Sequence, residues 1–184
     1  YELLPSFVAM RNAIREVDPN HVIVAEGNWW GSDLSKLDWE DGAVKSKSGI
    51  SQKWDANLVY EIHHYGAVAG TMGREALTNR LNVPLILGEY GETDEANLAA
   101  TTKWAKASLA GYFPWSFKKM SHDKALWTVM PNAAYDAVKA FIARGGAAPT
   151  QQYDAMISFA QNQVRNGAPG LVWHQGFYDG VKPN

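Results

Sequence analysis

Four short stretches of the chain hold residues that could do chemistry together: Glu26-Gly27-Asn28-Trp29-Trp30, His63-His64-Tyr65, Glu89-Tyr90-Gly91-Glu92 and Trp115-Ser116-Phe117-Lys118. A carboxylate can attack or stabilise an electron-poor carbon, and His and Tyr can hold that carboxylate in place. Indole faces offer flat apolar platforms. Such a set suits a sugar, whose ring stacks on Trp while the carboxylate meets its anomeric carbon. Taken singly, each group has a plainer explanation. Glu89 could cap the helix that follows it, and His63 could be a hydrogen-bonded core residue. His63 and His64 are adjacent, so on a strand they point to opposite faces and make a poor metal pair. Trp29 and Trp30 also point apart if the chain is extended, so at most one of them need line a site.

Each stretch lies at the end of a short run that reads as a buried parallel strand: His21–Gly27, Asn57–His63, Val83–Glu89 and Gly111–Ser116. Helical patterns stand between and around these runs. Glu2 to Val17 places Leu3, Phe7, Met10, Ile14 and Val17 at helical spacing, with Arg11, Arg15 and Glu16 facing away, and stops at Asp18-Pro19-Asn20. Further helices are expected near Arg74 to Leu81, from Thr93 or Asp94 to Leu109, and from about Asn132 to Ile142. Ser32 to Trp54 is polar and punctuated, more loop than helix. Strands alternating with helices predict an α/β fold with a parallel sheet, in which functional groups gather at the C-terminal ends of the strands. All four stretches fall there.

Past Gly145-Gly146-Ala147-Ala148-Pro149 the character changes. Thr150 could cap a last helix in which Tyr153, Met156, Ile157, Ala160 and Val164 share a face, ended by Asn166-Gly167. An aromatic tail of unclear form follows. The expected division is a main domain over 1–144 and a C-terminal helix and tail over 145–184 that packs on it.

Composition narrows the classes of function. The 184 residues are 46% hydrophobic, enough to bury the core of one sizeable domain. A net charge of −2 leaves no basic surplus to neutralise phosphates, so nucleic acid is not an expected partner. Cysteine is absent, which excludes disulfides, zinc–cysteine sites, iron–sulfur clusters and cysteine nucleophiles. No apolar run approaches the roughly 20 residues of a membrane helix, and no membrane partner is expected. No secretion signal opens the sequence, and a start at Tyr1 rather than Met is expected of a trimmed or excised piece. No glycine fingerprint for a nucleotide occurs, and neither a metal nor an organic cofactor is expected.

His63-x-Tyr65, the run Pro84-Leu85-Ile86-Leu87-Gly88-Glu89-Tyr90-Gly91 and Trp115-Ser116-Phe117-Lys118 together resemble glycoside hydrolase family 5, the cellulase family. Glu26-Gly27-Asn28-Trp29-Trp30-Gly31 is similar to the end of that family's fifth strand. The resemblance spans roughly Tyr1 to Arg144, with Gly88-Glu89-Tyr90-Gly91 its most specific piece. It implies that Glu89 is the nucleophile of a retaining glycosidase, endo-β-1,4-glucanase-like, acting on a β-linked polysaccharide or oligosaccharide. His63 and Tyr65 would position that carboxylate and the sugar. Trp115 would be a sugar platform, and Trp29 or Trp30 would line the cleft. A polymer substrate implies a secreted, extracellular protein.

The family fold is a full TIM (β/α)8 barrel whose acid/base Glu follows Asn on the fourth strand. No Asn-Glu-Pro occurs here, and the span His21 to Arg144 suits four strand–helix rounds. The expected fold is therefore half of that barrel. Half a barrel exposes two strand edges and its inner face, which a homodimer about a twofold axis would cover. A substitute proton donor is then sought in Glu26 or Glu61, or in the partner subunit's Glu89, His122 or Asp123. The opposing expectation is a carbohydrate-binding half-barrel remnant or fragment without catalysis.

Overall fold

The four apolar runs form one parallel sheet in the order β1-β2-β3-β4 in the computed structural model, which describes residues 2–182. The strands are β1 (Ile23–Glu26), β2 (Leu58–His64), β3 (Leu85–Gly91) and β4 (Gly111–Trp115). Helices α1 (Leu3–Val17), α2 (Gly42–Ser48), α3 (Glu75–Arg80) and α4 (Glu95–Ser108) precede or link them. Consecutive strands joined through helices, all parallel, make this an α/β unit that corresponds to part of a TIM barrel. The described chain forms two compact units, divided between Trp115 and Ser116. The change of sequence character at Gly145 lies inside the second unit.

Only one face of the sheet is dry. Along β2, Leu58, Tyr60 and Ile62 are fully buried, while Val59, Glu61 and His63 between them are partly exposed. Leu85 and Leu87 of β3 and Ala25 of β1 continue the buried face, and Leu4, Val44, Leu98 and Ala105 from the helices are buried with them in this unit. On the other face Val24 and Phe113 are 47% and 58% exposed. This is the inner face of a barrel, open because four strands cannot close it.

Side-chain caps start three of the described helices, α2, α4 and one in the second unit. Asp94 caps α4 by accepting from the Asn97 N–H at 2.8 Å. The segment Ser32–Trp54, expected as loop, contains α2. That helix is short and starts at a glycine, and it forms because Asp41 accepts from the N–H groups of Ala43 and Val44 while Val44 is buried. Leu37, Trp39 and Trp54 of the same segment are also core residues. In α1 the apolar stripe is displaced from expectation. Leu4 is its buried residue and Phe7 stacks on Trp54, whereas Met10, Ile14 and Val17 are exposed. Arg15 does not face away, but binds Asp55 through two nitrogens.

The second unit has its own small sheet. Strand β5 (Lys118–Met120) pairs parallel with β6 (Trp127–Val129), which pairs antiparallel with β7 (Leu171–Trp173). Lys118 to Met120, beyond the last run that reads as a strand in the sequence, is therefore a strand as well. The aromatic tail takes form through β7 and α7 (Gln175–Val181), with Trp173 packed edge-on against Trp127 at 4.7 Å between ring centres. Helix α5 (Ala133–Arg144) is capped by Asn132, which accepts from the Tyr135 N–H. Thr150 caps nothing. It opens a 3-10 turn, Thr150–Gln152, that leads into α6 (Tyr153–Phe159) and a wider π turn at Ala160–Val164.

Candidate active site

Two of the strand ends put a carboxylate, an imidazole and a phenol in one place. Glu89 on β3 stands beside His63 on β2 because the register slips by one residue between Ile62/Leu87 and His63/Glu89. The extra residue is Gly88. The slip brings Glu89 level with His63 on the open face of the sheet. Tyr65, just past the end of β2, donates its hydroxyl to Glu89 Oε2 at 2.7 Å. His63 Nδ1 lies 3.6 Å from that same oxygen, and its Nε2 lies 2.9 Å from Glu61 Oε1.

The three expected catalytic residues are thus brought together. Partial burial of its hydroxyl, the hydrogen bond to Glu89 and the charge of that carboxylate push the Tyr65 phenol well above its ordinary range. Tyr65 therefore stays protonated and acts as a donor. One oxygen of Glu89 is tethered, and the carboxyl side chain keeps about a third of its surface open to solvent.

A cavity of about 580 Å³ opens over these groups, bordered by Trp29, Trp30, Ser32, His63, His64, Tyr65, Arg74 and Glu89. Trp29 and Trp30 both border it, contrary to the extended-chain expectation. Their φ angles of 55° and 52° are left-handed, so alternation does not apply to them. A bridge between Asn28 and Asp33 closes this loop and presents both rings, which are 72% and 84% exposed. Trp115 ends β4 opposite Gly91, on the same face of the sheet, but does not border the cavity. His64 borders it too, with Nε2 3.0 Å from the Ala67 carbonyl.

Arg74 was not singled out from the sequence. Its guanidinium donates to the carbonyls of Gly70 and Ser32, tying the loop before α3 to the tryptophan loop at the cavity wall. The signal was a cation just before a helix, where the helix dipole disfavours one. His122 and Asp123 lie in the second unit, beside a cavity bordered by Ser121, Thr128, Met130, Val172 and His174.

Comparison with known proteins gives one family and a set of distant structures. A search of curated protein sequences gives no match. An endo-β-1,4-glucanase from Xanthomonas axonopodis pv. citri, solved as a triple mutant, is 14% identical over 85% of this chain and 55% of its own, with a TM-score of 0.47. The structure of XacCel5A in complex with cellopentaose gives 15% identity, the same coverages and a TM-score of 0.48. Endoglucanase Cel5A of Pseudomonas stutzeri is 22% identical over 61% of this chain and 43% of its own, with a TM-score of 0.40. The chain spans about half the length of these structures. The model of the cellulase family, glycosyl hydrolase family 5, matches residues 5–133, more than two-thirds of the sequence. The chain belongs to glycosyl hydrolase family 5.

Proposed function

We propose that this chain carries the nucleophile half of a retaining glycoside hydrolase that cuts β-linked glucan, with Glu89 as the attacking group. The observation that carries the proposal is the convergence of Tyr65 and His63 on one oxygen of Glu89 at the floor of an open, tryptophan-bordered cavity. Glu89 attacks the anomeric carbon, the bond to the leaving oxygen breaks, and water later displaces the enzyme from the sugar. Tyr65 holds Glu89 in line by its hydrogen bond, the His63 ring flanks the same oxygen, and Trp29 and Trp30 offer apolar faces to the glycan. Trp115 extends the platform along the rim.

Retaining hydrolysis also needs an acid about 5–5.5 Å from the nucleophile, to protonate the leaving oxygen. Glu61 is engaged by His63, so it is a poor donor. Glu26 ends β1 on the open face and is the in-chain alternative. The remaining strands, and with them a donor, are supplied by a second copy of the chain. Two features support such a homodimer: β1 and β4 are both edges of their sheet, and the face between them exposes Val24 and Phe113. A location outside the cell is part of the same proposal and is supported only by the polymeric substrate proposed for it.

Reducing-sugar release from soluble β-1,4-glucan, compared with Glu89→Gln, tests the activity. Release by the chain, lost in the variant while glycan binding persists, supports it. Binding without release in both makes the chain a carbohydrate-binding half-barrel. Light scattering at micromolar concentration tests the dimer, and a monomer of 20.3 kDa overturns it.

A further inference from the structure

Glu61 is a charged, partly exposed residue in the middle of a strand whose buried positions are Leu58, Tyr60 and Ile62. Its carboxylate does not reach out to solvent but folds toward the sheet: Oε1 sits 2.9 Å from His63 Nε2, and only about a fifth of the side chain is exposed. It occupies the room left by Gly88. A Cβ at position 88 would fall 1.8 Å from Glu61 Oε1 and 2.3 Å from its carboxyl carbon, so no side chain fits there while Glu61 keeps this place. The register slip at Gly88 therefore does two things at once. It sets Glu89 beside His63, and it vacates the space in which Glu61 can reach the far nitrogen of the same ring.

We propose that Glu61 is a positioning residue for the active site: it accepts the Nε2–H of His63, fixes the ring, and so presents Nδ1 to Glu89. The proposal rests on the role assigned to Glu89 above, and adds a carboxylate two residues before the histidine as its orienting partner. An imidazole with a proton on one nitrogen has its tautomer chosen by the hydrogen bond that the other groups offer it. With Nε2–H committed to Glu61, Nδ1 faces Glu89 at 3.6 Å and donates to it only when the ring takes up a second proton, so what Glu61 fixes is the plane of the ring against which Glu89 stands. Other ionisable groups also surround this ring. Glu26 of β1 approaches across Gly31, whose carbonyl accepts the His63 N–H, and Tyr65, His64 and Arg74 border the same cavity.

The test is the protonation pattern of His63 in the full chain labelled with 15N-histidine, read at about pH 8.5, above the ordinary imidazole range. Loss of a resonance in His63→Gln assigns it among the five histidines. A proton on Nε2 in the wild type, lost or shared with Nδ1 in Glu61→Ala and kept in Glu61→Gln, supports the proposal, because glutamine still offers an acceptor oxygen. An Nε2 without a proton in the wild type, or an unchanged ring in Glu61→Ala, overturns it. Gly88→Ala drives the Glu61 carboxylate from its place and gives the same loss by a second route, should Glu61→Ala fail to fold. In the hydrolysis assay Glu61→Ala lowers kcat about 10- to 100-fold with KM nearly unchanged, and Glu61→Gln recovers most of it. A chain that hydrolyses nothing sinks the enzyme proposal, yet leaves the histidine spectrum readable.

Discussion

The Tyr65 hydroxyl donates to Glu89 Oε2 at 2.7 Å, joining the loop after β2 to strand β3. The bond fixes which oxygen of the carboxylate is occupied and hence the direction of the other. A hydrogen bond to a charged group is worth about 1.5–3 kcal/mol, which corresponds to roughly 10- to 150-fold in rate if it is lost from the reacting geometry. Tyr65→Phe keeps the ring and removes only the donor. We expect kcat on soluble β-glucan to fall by about that factor, with the melting temperature within a degree or two of wild type. A variant as active as wild type makes the tether irrelevant.

Trp29 and Trp30 are held by backbone rather than by packing. Both are left-handed, their ring centres are 6.4 Å apart, and the planes are tilted by 50°. Bulky residues adopt this conformation at a cost, and strain of this kind concentrates at binding sites. Trp30→Gly relieves the strain and removes a platform, so stability is expected to hold or rise while affinity for a cello-oligosaccharide falls about tenfold, as measured by calorimetry. Unchanged affinity removes Trp30 from the binding surface.

The strands were legible because their signal is local. Runs such as Leu58-Val59-Tyr60 and Val83-Pro84-Leu85-Ile86-Leu87 announce themselves, and α/β alternation orders them. The convergence of Glu89, His63 and Tyr65 followed from strand ends being neighbours. What was hidden depends on backbone state or on pairing between strands. The side of the loop that Trp29 and Trp30 share follows from two positive φ angles, and the fit of Glu61 under His63 follows from a slip of one residue between β2 and β3. Neither is written in a local pattern. Helix α2 was missed because its formation depends on the Asp41 cap and the burial of Val44, while its own residues read as loop.

Tyr60 ties that irregular segment to the sheet. Its buried hydroxyl donates to the Leu37 carbonyl at 2.9 Å and accepts from Trp54 Nε1 at 3.1 Å. Tyr60→Phe leaves a buried N–H and a buried carbonyl without this partner, which costs about 1–3 kcal/mol. Chemical denaturation is expected to show that loss with an unchanged m value. A neutral substitution means that the segment is anchored by its apolar contacts with Trp39 and Trp54 alone.

Asp55 contributes acid-sensitive stability to the same unit. Arg15 grips it with Nε at 2.9 Å and a terminal nitrogen at 2.7 Å, and the Asn57 N–H adds a third bond at 2.8 Å. The hydrogen bonds from Arg15, with help from Asn57 and the charges of Arg15 and Arg11, hold the Asp55 carboxyl below the usual carboxylate range even though its burial works the other way. In the unfolded chain this group titrates near pH 3.9. A pKa that is lower in the folded state means that unfolding takes up a proton at acid pH. The stabilisation is therefore complete above about pH 4 and fades as pH falls through the lower, folded value. Asp55→Ala removes the acceptor for both Arg15 contacts and is expected to lower stability by about 2–3 kcal/mol at neutral pH. The gap between wild type and variant should narrow steadily on acidification below that point. A gap that stays constant from neutral pH down through the acid range would show that the pair contributes packing and no charge-dependent stability.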